Sequence, residues 1–128
     1  MPRCYLAGPM RHKRRFNFPA FFRNAAKLSK LGWDVINPAA LDVAAGVATR
    51  DGRLRRVLKF DPKHLREFAR RDLDVILNKL RGERGDAIIL LPGWRRSIGA
   101  KAERAAARWT GLRILRLREA IMEGKVEE

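Results

Sequence analysis

Apolar and polar positions follow two different periods along the chain, and the pattern predicts strands that alternate with helices. Short apolar runs of strand length occupy residues 3–7, 33–37, 86–91 and 112–117. Apolar residues at helical spacing occupy residues 18–31, 62–80 and 98–110, with a short helical piece at 39–45 and a last helix at 118–123. This alternation is typical of a mostly parallel sheet covered by helices on both faces.

Residues with strong local preferences mark where these elements begin and end. Asn17 is placed to cap the helix 18–31, and Gly32 is placed to stop it. Asp61 followed by Pro62 predicts the start of the helix 62–80, with Asp as cap and Pro in the first turn. The polar, Gly-containing stretch 46–60 is predicted to be a flexible loop. Residues 1–128 need no internal boundary and are predicted to form one domain.

The helix predicted at 62–80 carries an acidic residue among its apolar positions. Its apolar stripe consists of Leu65, Phe68, Ala69, Leu73, Ile76 and Leu80. Asp72 lies on this stripe, four residues after Phe68 and four before Ile76, whereas Asp74 lies on the polar face. An acid directed toward the interior is costly unless it is paired or used. Two interpretations stay open: an ion pair with Arg71 or another arginine, or a general acid whose pKa burial raises.

The segment from Ser97 to Glu103 combines a strand end, a helix start and a carboxylate. The first backbone N–H groups of a helix lack intrahelical partners and attract anions, and Ser97 suits the N-cap position. Glu103 follows Gly99 by one turn, so its carboxylate is predicted to point toward the gap left by the missing side chain. The segment could therefore hold a phosphate and direct a carboxylate at the ligand. The alternative is an ordinary capped helix with a surface glutamate.

Composition restricts the classes of protein. Hydrophobic residues make up 46% of the chain, which is too much for a disordered tail, and no apolar run reaches the ~18–20 residues of a membrane span. The chain starts directly on a strand-like run with no visible secretory signal. Cys4 is the single cysteine, which excludes an internal disulfide and a cysteine-based zinc site. We therefore expect a cytoplasmic protein.

The net charge of +15 indicates anionic partners, either polyanions or phosphorylated metabolites. Basic residues are spread along the chain rather than gathered in one stripe, so nucleic-acid binding is the second hypothesis, supported mainly by the basic runs 11–15 and 50–56. No Gly-rich dinucleotide fingerprint and no Walker loop occurs, so no nicotinamide or ATP cofactor is expected, and no metal site is predicted. If the first strand neighbours the strand 86–91, residues 5–15 and 92–103 line a crevice at their carboxyl ends.

Several motifs resemble those of the nucleoside 2-deoxyribosyltransferase superfamily, especially its small members that are frequent in phages and prophages. The matching segments are YLAGPMR at 5–11, NFPAFF at 17–22, NP at 37–38, RDL at 71–73, DAIILLPGW at 86–94 and S-x-G-A-x-x-E at 97–103. The resemblance implies a flavodoxin-like (Rossmann-like) three-layer α/β sandwich with a mostly parallel sheet of four to five strands. It also implies a homodimer or larger homo-oligomer in which a neighbour completes the site, and a host-cytoplasmic location if the protein is phage-encoded.

The resemblance also implies a chemistry. Glu103 matches the family's nucleophile, which attacks the anomeric carbon of a deoxyribose and expels the base. Water or a second base then resolves the glycosyl-enzyme, as in retaining glycosidases. Asp72 matches an acid beside the base and sugar, and Tyr5 and Gly8 match the first-strand motif that lines the site.

Position 97 separates two branches of this superfamily. Transferases that act on unphosphorylated nucleosides carry Asp there, whereas the 2′-deoxynucleoside 5′-monophosphate N-hydrolases carry Ser and an Arg that matches Arg11. Ser97 and Arg11 favour a phosphate, because Asp at a helix N-terminus would repel a dianion. Pro9 stands where the hydrolases have a phosphate-binding Ser, in the loop that also includes Gly8, and Gly99 belongs to the same binding motif as Ser97.

The expected activity is therefore hydrolysis of the N-glycosidic bond of a (deoxy)nucleoside 5′-monophosphate with release of the free base. Two alternatives remain at this level. One is a deoxyribosyltransferase that moves the sugar between bases. The other is a protein without catalytic activity that binds nucleic acid or senses a nucleotide through the same pocket.

Overall fold

Four parallel strands form the centre of the fold. The computed structural model describes residues 2–11, 13–51 and 62–127. The strands are β1 (Arg3–Ala7), β2 (Asp34–Ile36), β3 (Ala87–Leu90) and β4 (Arg113–Arg116). They lie in the order β2-β1-β3-β4, and every neighbouring pair is parallel.

In the described part of the chain, five α-helices cover the two faces of the sheet. They are α1 (Phe18–Lys30), α2 (Pro38–Ala44), α3 (Pro62–Asp74), α4 (Ile98–Trp109) and α5 (Leu117–Glu127). A π-helical turn at Val75–Lys79 continues α3. The architecture is the flavodoxin-like three-layer α/β fold that the sequence predicts.

The two faces of β1 explain the two halves of the core. Cys4 and Leu6 pack with the buried side chains of α1, among them Phe18 and Phe21. Tyr5 and Ala7 point to the other face, where the core residues come from the π-helical turn and from α4. Alternate side chains of a strand point to opposite faces, so a strand between two helical layers must be apolar at every position. The residues of β3 are all buried for this reason.

The strand predictions are confirmed, and the differences concern helix ends. The last helix was expected at 118–123, but α5 extends to Glu127. It continues through Gly124, where a Cβ would lie 2.7 Å from the Cβ of Leu31. Gly124 therefore allows α5 to pack against the end of α1. The predicted cap Asp61 and residues 52–60 of the predicted loop lie outside the described residues.

The capping role predicted for Asn17 is wrong. Asn17 precedes α1, but it has a φ of 61° and its side chain makes no capping hydrogen bond. Its Nδ2 instead donates to the carbonyl of Pro9 at 3.0 Å and ties the loop after β1 to α1. Side-chain capping occurs at α2, where Oδ1 of Asn37 accepts from the Ala39 N–H at 3.0 Å.

A buried aspartate fastens the edge of the sheet where the strands begin. Asp86 is 1% exposed and accepts hydrogen bonds from the backbone N–H groups of Arg3 and Arg81, both at 2.8 Å. Arg84 adds a contact of 3.2 Å. Burial acts to raise the pKa of Asp86, but these donors outweigh it and lower the pKa below its ordinary value. Asp86 thus joins three segments at the edge opposite the carboxyl ends of the strands.

No helix within residues 2–11, 13–51 and 62–127 has the length and apolar character that crossing a bilayer requires.

Replacing Asp86 should destabilise the fold in a pH-dependent way. Asp86→Ala leaves two backbone N–H groups without their acceptor, at a cost of about 1–3 kcal/mol each. Because the pKa in the folded state lies below that in the unfolded state, this stability is present above about pH 4 and declines at lower pH. Urea unfolding followed by circular dichroism should therefore show a large deficit at pH 7 that shrinks by pH 3. Glu83→Ala, an exposed change in the same loop, should have a small effect at both pH values.

Candidate functional site

The site lies at the carboxyl ends of β1 and β3, where the direction of strand addition reverses. The chain passes from β1 to β2 on one side, and β3 then pairs with β1 on its other side. Such a reversal opens the crevice in which α/β proteins bind ligands. The prediction that the first strand neighbours the strand 86–91 is confirmed.

Gly8 allows the two loops at this end to approach each other. The N–H of Leu91 donates to the carbonyl of Ala7 at 2.8 Å, which extends the pairing beyond the strands. A Cβ on Gly8 would lie 2.8 Å from the Cβ of Leu91, closer than side chains tolerate. Pro9 likewise lies against Gly93, whose added Cβ would be 3.2 Å from the ring. Gly8 and Pro9 therefore shape one wall of the crevice through the backbone.

Tyr5 and Glu103 meet across the face of the sheet that α4 covers. Tyr5 is completely buried, and its hydroxyl donates a hydrogen bond to Oε2 of Glu103. Glu103 is half-buried, so the alternative of a plain surface glutamate does not describe it. Burial is the main cause of a strongly raised pKa at Tyr5, and the negative charges of Glu103 and Asp72 raise it further. Tyr5 thus remains a neutral hydroxyl that donates to the carboxylate.

Arg71 and Asp72 at the end of α3 stand next to this pair and connect it to α2. Nε of Arg71 donates to Oδ1 of Asp72 at 2.9 Å, and Nη2 donates to Oδ1 of Asp42 at 2.8 Å. The ion pair of Asp72 with Arg71, one of the two interpretations of its place on the apolar stripe, is present. Arg71 also lowers the pKa of Tyr5, against the effect of Asp72, so these charges act on the same hydroxyl.

Asp42 was not predicted as a site residue. It is fully buried in α2 and is held by Arg71. A charged residue within the otherwise apolar run PAALDVA was the available signal, because an ionised carboxylate is rarely buried without a partner. The partner lies 29 positions away in the sequence, so local spacing could not identify it.

These five residues form what we call the carboxylate cluster, which consists of Tyr5, Asp42, Arg71, Asp72 and Glu103. It contains three carboxylates and one guanidinium, so it carries excess negative charge when all four are ionised. Nη1 of Arg71 is buried and has no acceptor within the described part of the chain. A buried donor of this kind is a candidate for a ligand atom. Among the described residues no group of three potential ligands is arranged for a metal ion.

Two of the predicted phosphate-binding residues, Ser97 and Gly99, lie at the N-terminus of α4. Ser97 is the N-cap, as predicted, and its Oγ accepts from the Ala100 N–H at 3.1 Å. Gly99 is exposed, and a Cβ there would have only the Oγ of Ser97 within 4 Å among the described atoms, at 3.9 Å. Among the described residues, none other than Ser97 therefore fills the space beside Gly99. Arg11 is an exposed residue of the loop that follows β1.

The two acidic partners of Arg71 should differ in their effect on stability. Asp42→Ala removes the fully buried partner and leaves Arg71 poorly compensated, which should destabilise the fold by about 3–5 kcal/mol. Asp72→Asn keeps the Arg71–Asp42 pair and removes a carboxylate that is 15% exposed, so its loss should be nearer 1 kcal/mol. Urea unfolding of both variants measures the difference. Equal losses would mean that Asp72 has the same structural role as Asp42.

Comparison with known families gives one match. Residues 62–116 match the model of a family described as a domain of unknown function (DUF4406). The matched part extends from α3 through β4 and includes Asp72, Ser97 and Glu103. Neither the curated proteins nor the solved structures gave a match. The chain is thus similar, over this part, to a family whose description states no activity.

Proposed function

We propose that this protein hydrolyses the N-glycosidic bond of a (deoxy)nucleoside 5′-monophosphate and releases the free base, with Glu103 as the nucleophile. The observation that carries the proposal is the hydrogen bond from the buried Tyr5 to Glu103. It holds a carboxylate over the sheet face that α4 covers, and the charge of a second carboxylate, Asp72, acts on the same Tyr5 hydroxyl. The superfamily resemblance of the motifs around Tyr5, Asp72 and Glu103 supports the same assignment.

The proposed reaction has two steps. Glu103 attacks the anomeric carbon, and the electron pair of the N-glycosidic bond leaves with the base. A water molecule then attacks the anomeric carbon of the glycosyl ester and frees the Glu103 carboxylate, and the proton that the water loses is taken up by the departed base. Positive charge develops on the sugar in the transition state, and the excess negative charge of the carboxylate cluster stabilises it. Tyr5 holds Glu103 in one orientation, which lowers the entropic cost of the attack.

In this proposal the departing base lies against Asp72 and Arg71. Asp72 is the acid that the resemblance places beside the base. Nη1 of Arg71, which has no acceptor among the described residues, supplies a donor for an acceptor atom of the base, such as a ring carbonyl oxygen. A guanidinium at that position stabilises the negative charge that the base acquires as the bond breaks.

The phosphate assignment rests on the N-terminus of α4 and the basic residues near it. Ser97 uses its hydroxyl on the Ala100 N–H, so other backbone N–H groups of the first turn remain for an anion. Arg11 follows β1, and Arg95 and Arg96 directly precede Ser97. Positive side chains around a helix N-terminus favour a dianionic 5′-phosphate over an uncharged hydroxyl. The exposed Gly99 leaves room for it.

An exposed apolar stripe on α4 supports the expectation of a homo-oligomer. Ile98 and Trp109 are 81% and 91% exposed and lie eleven residues apart, which places them on one face of the helix. Ala102 and Ala105 are exposed between them at helical spacing and would let a second helix approach closely. We propose that a second copy of the chain covers this stripe.

Replacing Glu103 should abolish base release without unfolding the protein. Glu103→Gln removes the nucleophilic charge and keeps the side-chain shape, so the rate of base release from a nucleoside monophosphate should fall by at least about 10³-fold. The measurement is chromatography of free base from a panel of monophosphates, together with the melting temperature of the variant. Glu67→Gln, on the exposed face of α3, is the matched control and should remain active. Turnover near the wild-type rate in Glu103→Gln would contradict the mechanism.

Loss of the phosphate contacts should be selective for phosphorylated substrates. Arg11→Ala or Ser97→Ala should raise KM for a monophosphate by about tenfold or more and change KM for the matching nucleoside little. Initial rates with both substrates give the ratio. A wild-type protein that prefers the unphosphorylated nucleoside, or that forms a new nucleoside when a second base is added, would favour the transferase alternative.

A further inference from the structure

A second open cleft lies along β4, the edge strand of the sheet. It has a volume of about 500 Å³. The residues that line it come from β3, β4, α4, α5 and the turn before α4: Leu90, Trp94, Arg95, Arg104, Arg108, Ile114, Arg116 and Glu119. We call it the arginine cleft. Its size is within the range of protein ligand sites.

The arginine cleft is separate from the carboxylate cluster and shares no residue with it. Glu103 and Arg104 are consecutive on α4, yet they point to different partners. Glu103 receives the hydrogen bond from Tyr5, whereas the guanidinium of Arg104 lies over the ring of Trp94. The described residues of the basic runs that supported nucleic-acid binding in the sequence, 11, 13–15 and 50, are not among those that line this cleft.

The charge of the arginine cleft is strongly positive. Four arginines face one glutamate, and Glu119 is already engaged as an acceptor for the backbone N–H of Arg116 at 2.9 Å. Arg104 and Arg108 are one helical turn apart on α4, so their side chains leave the same face about 6 Å from each other. Several guanidinium groups that line one cleft suit several phosphates rather than one.

Trp94 adds an aromatic surface to these charges. Its ring is half-buried, and the Cζ atoms of Arg95 and Arg104 lie 5.3 and 5.2 Å from the centre of the ring. The apolar residues Leu90 and Ile114 lie in the same cleft. A positive groove that contains an aromatic ring is the arrangement with which proteins bind single strands, because phosphates contact the charges and an unpaired base stacks on the ring or on a guanidinium that lies over it.

We propose that the arginine cleft binds single-stranded nucleic acid. A mononucleotide dianion would leave part of the cleft's charge unmatched, whereas three or four successive phosphates of a strand match it. A duplex keeps its bases stacked on each other and offers none to Trp94. The proposal does not rest on the proposed glycosidase activity, because none of its residues belongs to the carboxylate cluster and only Arg95 also belongs to the basic group proposed to attract the substrate phosphate.

Fluorescence titration with a ten-residue oligodeoxythymidylate tests the stacking contact. Trp33 is buried, so the signal that responds to ligand comes from Trp94 or from Trp109. We expect the oligonucleotide to quench the wild-type fluorescence, Trp94→Phe to lose most of this quenching, and Trp109→Phe to retain it. Quenching that disappears with Trp109→Phe and persists with Trp94→Phe would overturn the proposal.

A charge-matched pair of double variants tests the phosphate contacts. Arg104→Gln with Arg108→Gln should weaken binding of the oligonucleotide by about tenfold or more at low salt and reduce the salt slope by about 1.4. Arg66→Gln with Arg70→Gln removes the same charge from exposed positions of α3 outside the cleft and should have a small effect. If both pairs of substitutions weakened oligonucleotide binding equally, the strand would be attracted by the net charge of the whole chain rather than by this cleft, and the proposal would be overturned.

Three further arms distinguish a single strand from a free nucleotide, from a duplex and from a ligand of the glycosidase site. Thymidine monophosphate and inorganic phosphate should compete only at concentrations far above those of the oligonucleotide. Equal affinity for the mononucleotide would mean that the cleft binds a free nucleotide and would overturn the proposal. A duplex of the same length should bind more weakly than the single strand, and tighter duplex binding would contradict the stacking contact. Glu103→Gln should bind the oligonucleotide like wild type, and the Arg104/Arg108 variant should keep any base-release activity.

Discussion

The parallel pairing of β1 with β3 is the constraint on which the rest of the structure depends. Apart from the exposed Arg3 at the start of β1, both strands are buried, so their residues are apolar or, like Tyr5, form a hydrogen bond through their polar atom. Their carboxyl ends coincide because the strands are parallel. The loops after them therefore share one edge, and Gly8 is needed there because it passes against Leu91.

Because the strands are buried, charged groups near the core lie at strand ends or form ion pairs. Asp86 accepts hydrogen bonds from backbone N–H groups at the end of the sheet where the strands begin. Asp42 and Asp72 instead share Arg71, which links α3 to α2. A buried carboxylate without such partners would cost several kcal/mol. The polar groups are thus not scattered in the core, and each joins elements that are distant in the sequence.

Local patterns were sufficient to predict the fold and part of the candidate site. Four apolar runs gave the strands, and the Ser97 cap and the position of Asp72 on the apolar stripe of its helix gave residues that the structure places as expected. Asp42 was beyond such patterns, because its role depends on Arg71 from another helix. The role of Asn17 was mistaken for a similar reason: its partner is the Pro9 carbonyl rather than the helix that follows it.

Two consecutive residues of α4 belong to regions of opposite charge. Glu103 belongs to a cluster with excess negative charge, whereas Arg104 belongs to a cleft with excess positive charge. Side chains of adjacent helical residues diverge by about 100°, so one helix can present both without pairing them. In the proposed chemistry the division has a physical reason, since a cationic sugar in the transition state needs negative charge around it while phosphates need positive charge. The net charge of +15 can attract phosphorylated ligands from a distance, while in the proposed reaction the carboxylates of the cluster act at short range on the sugar of the substrate.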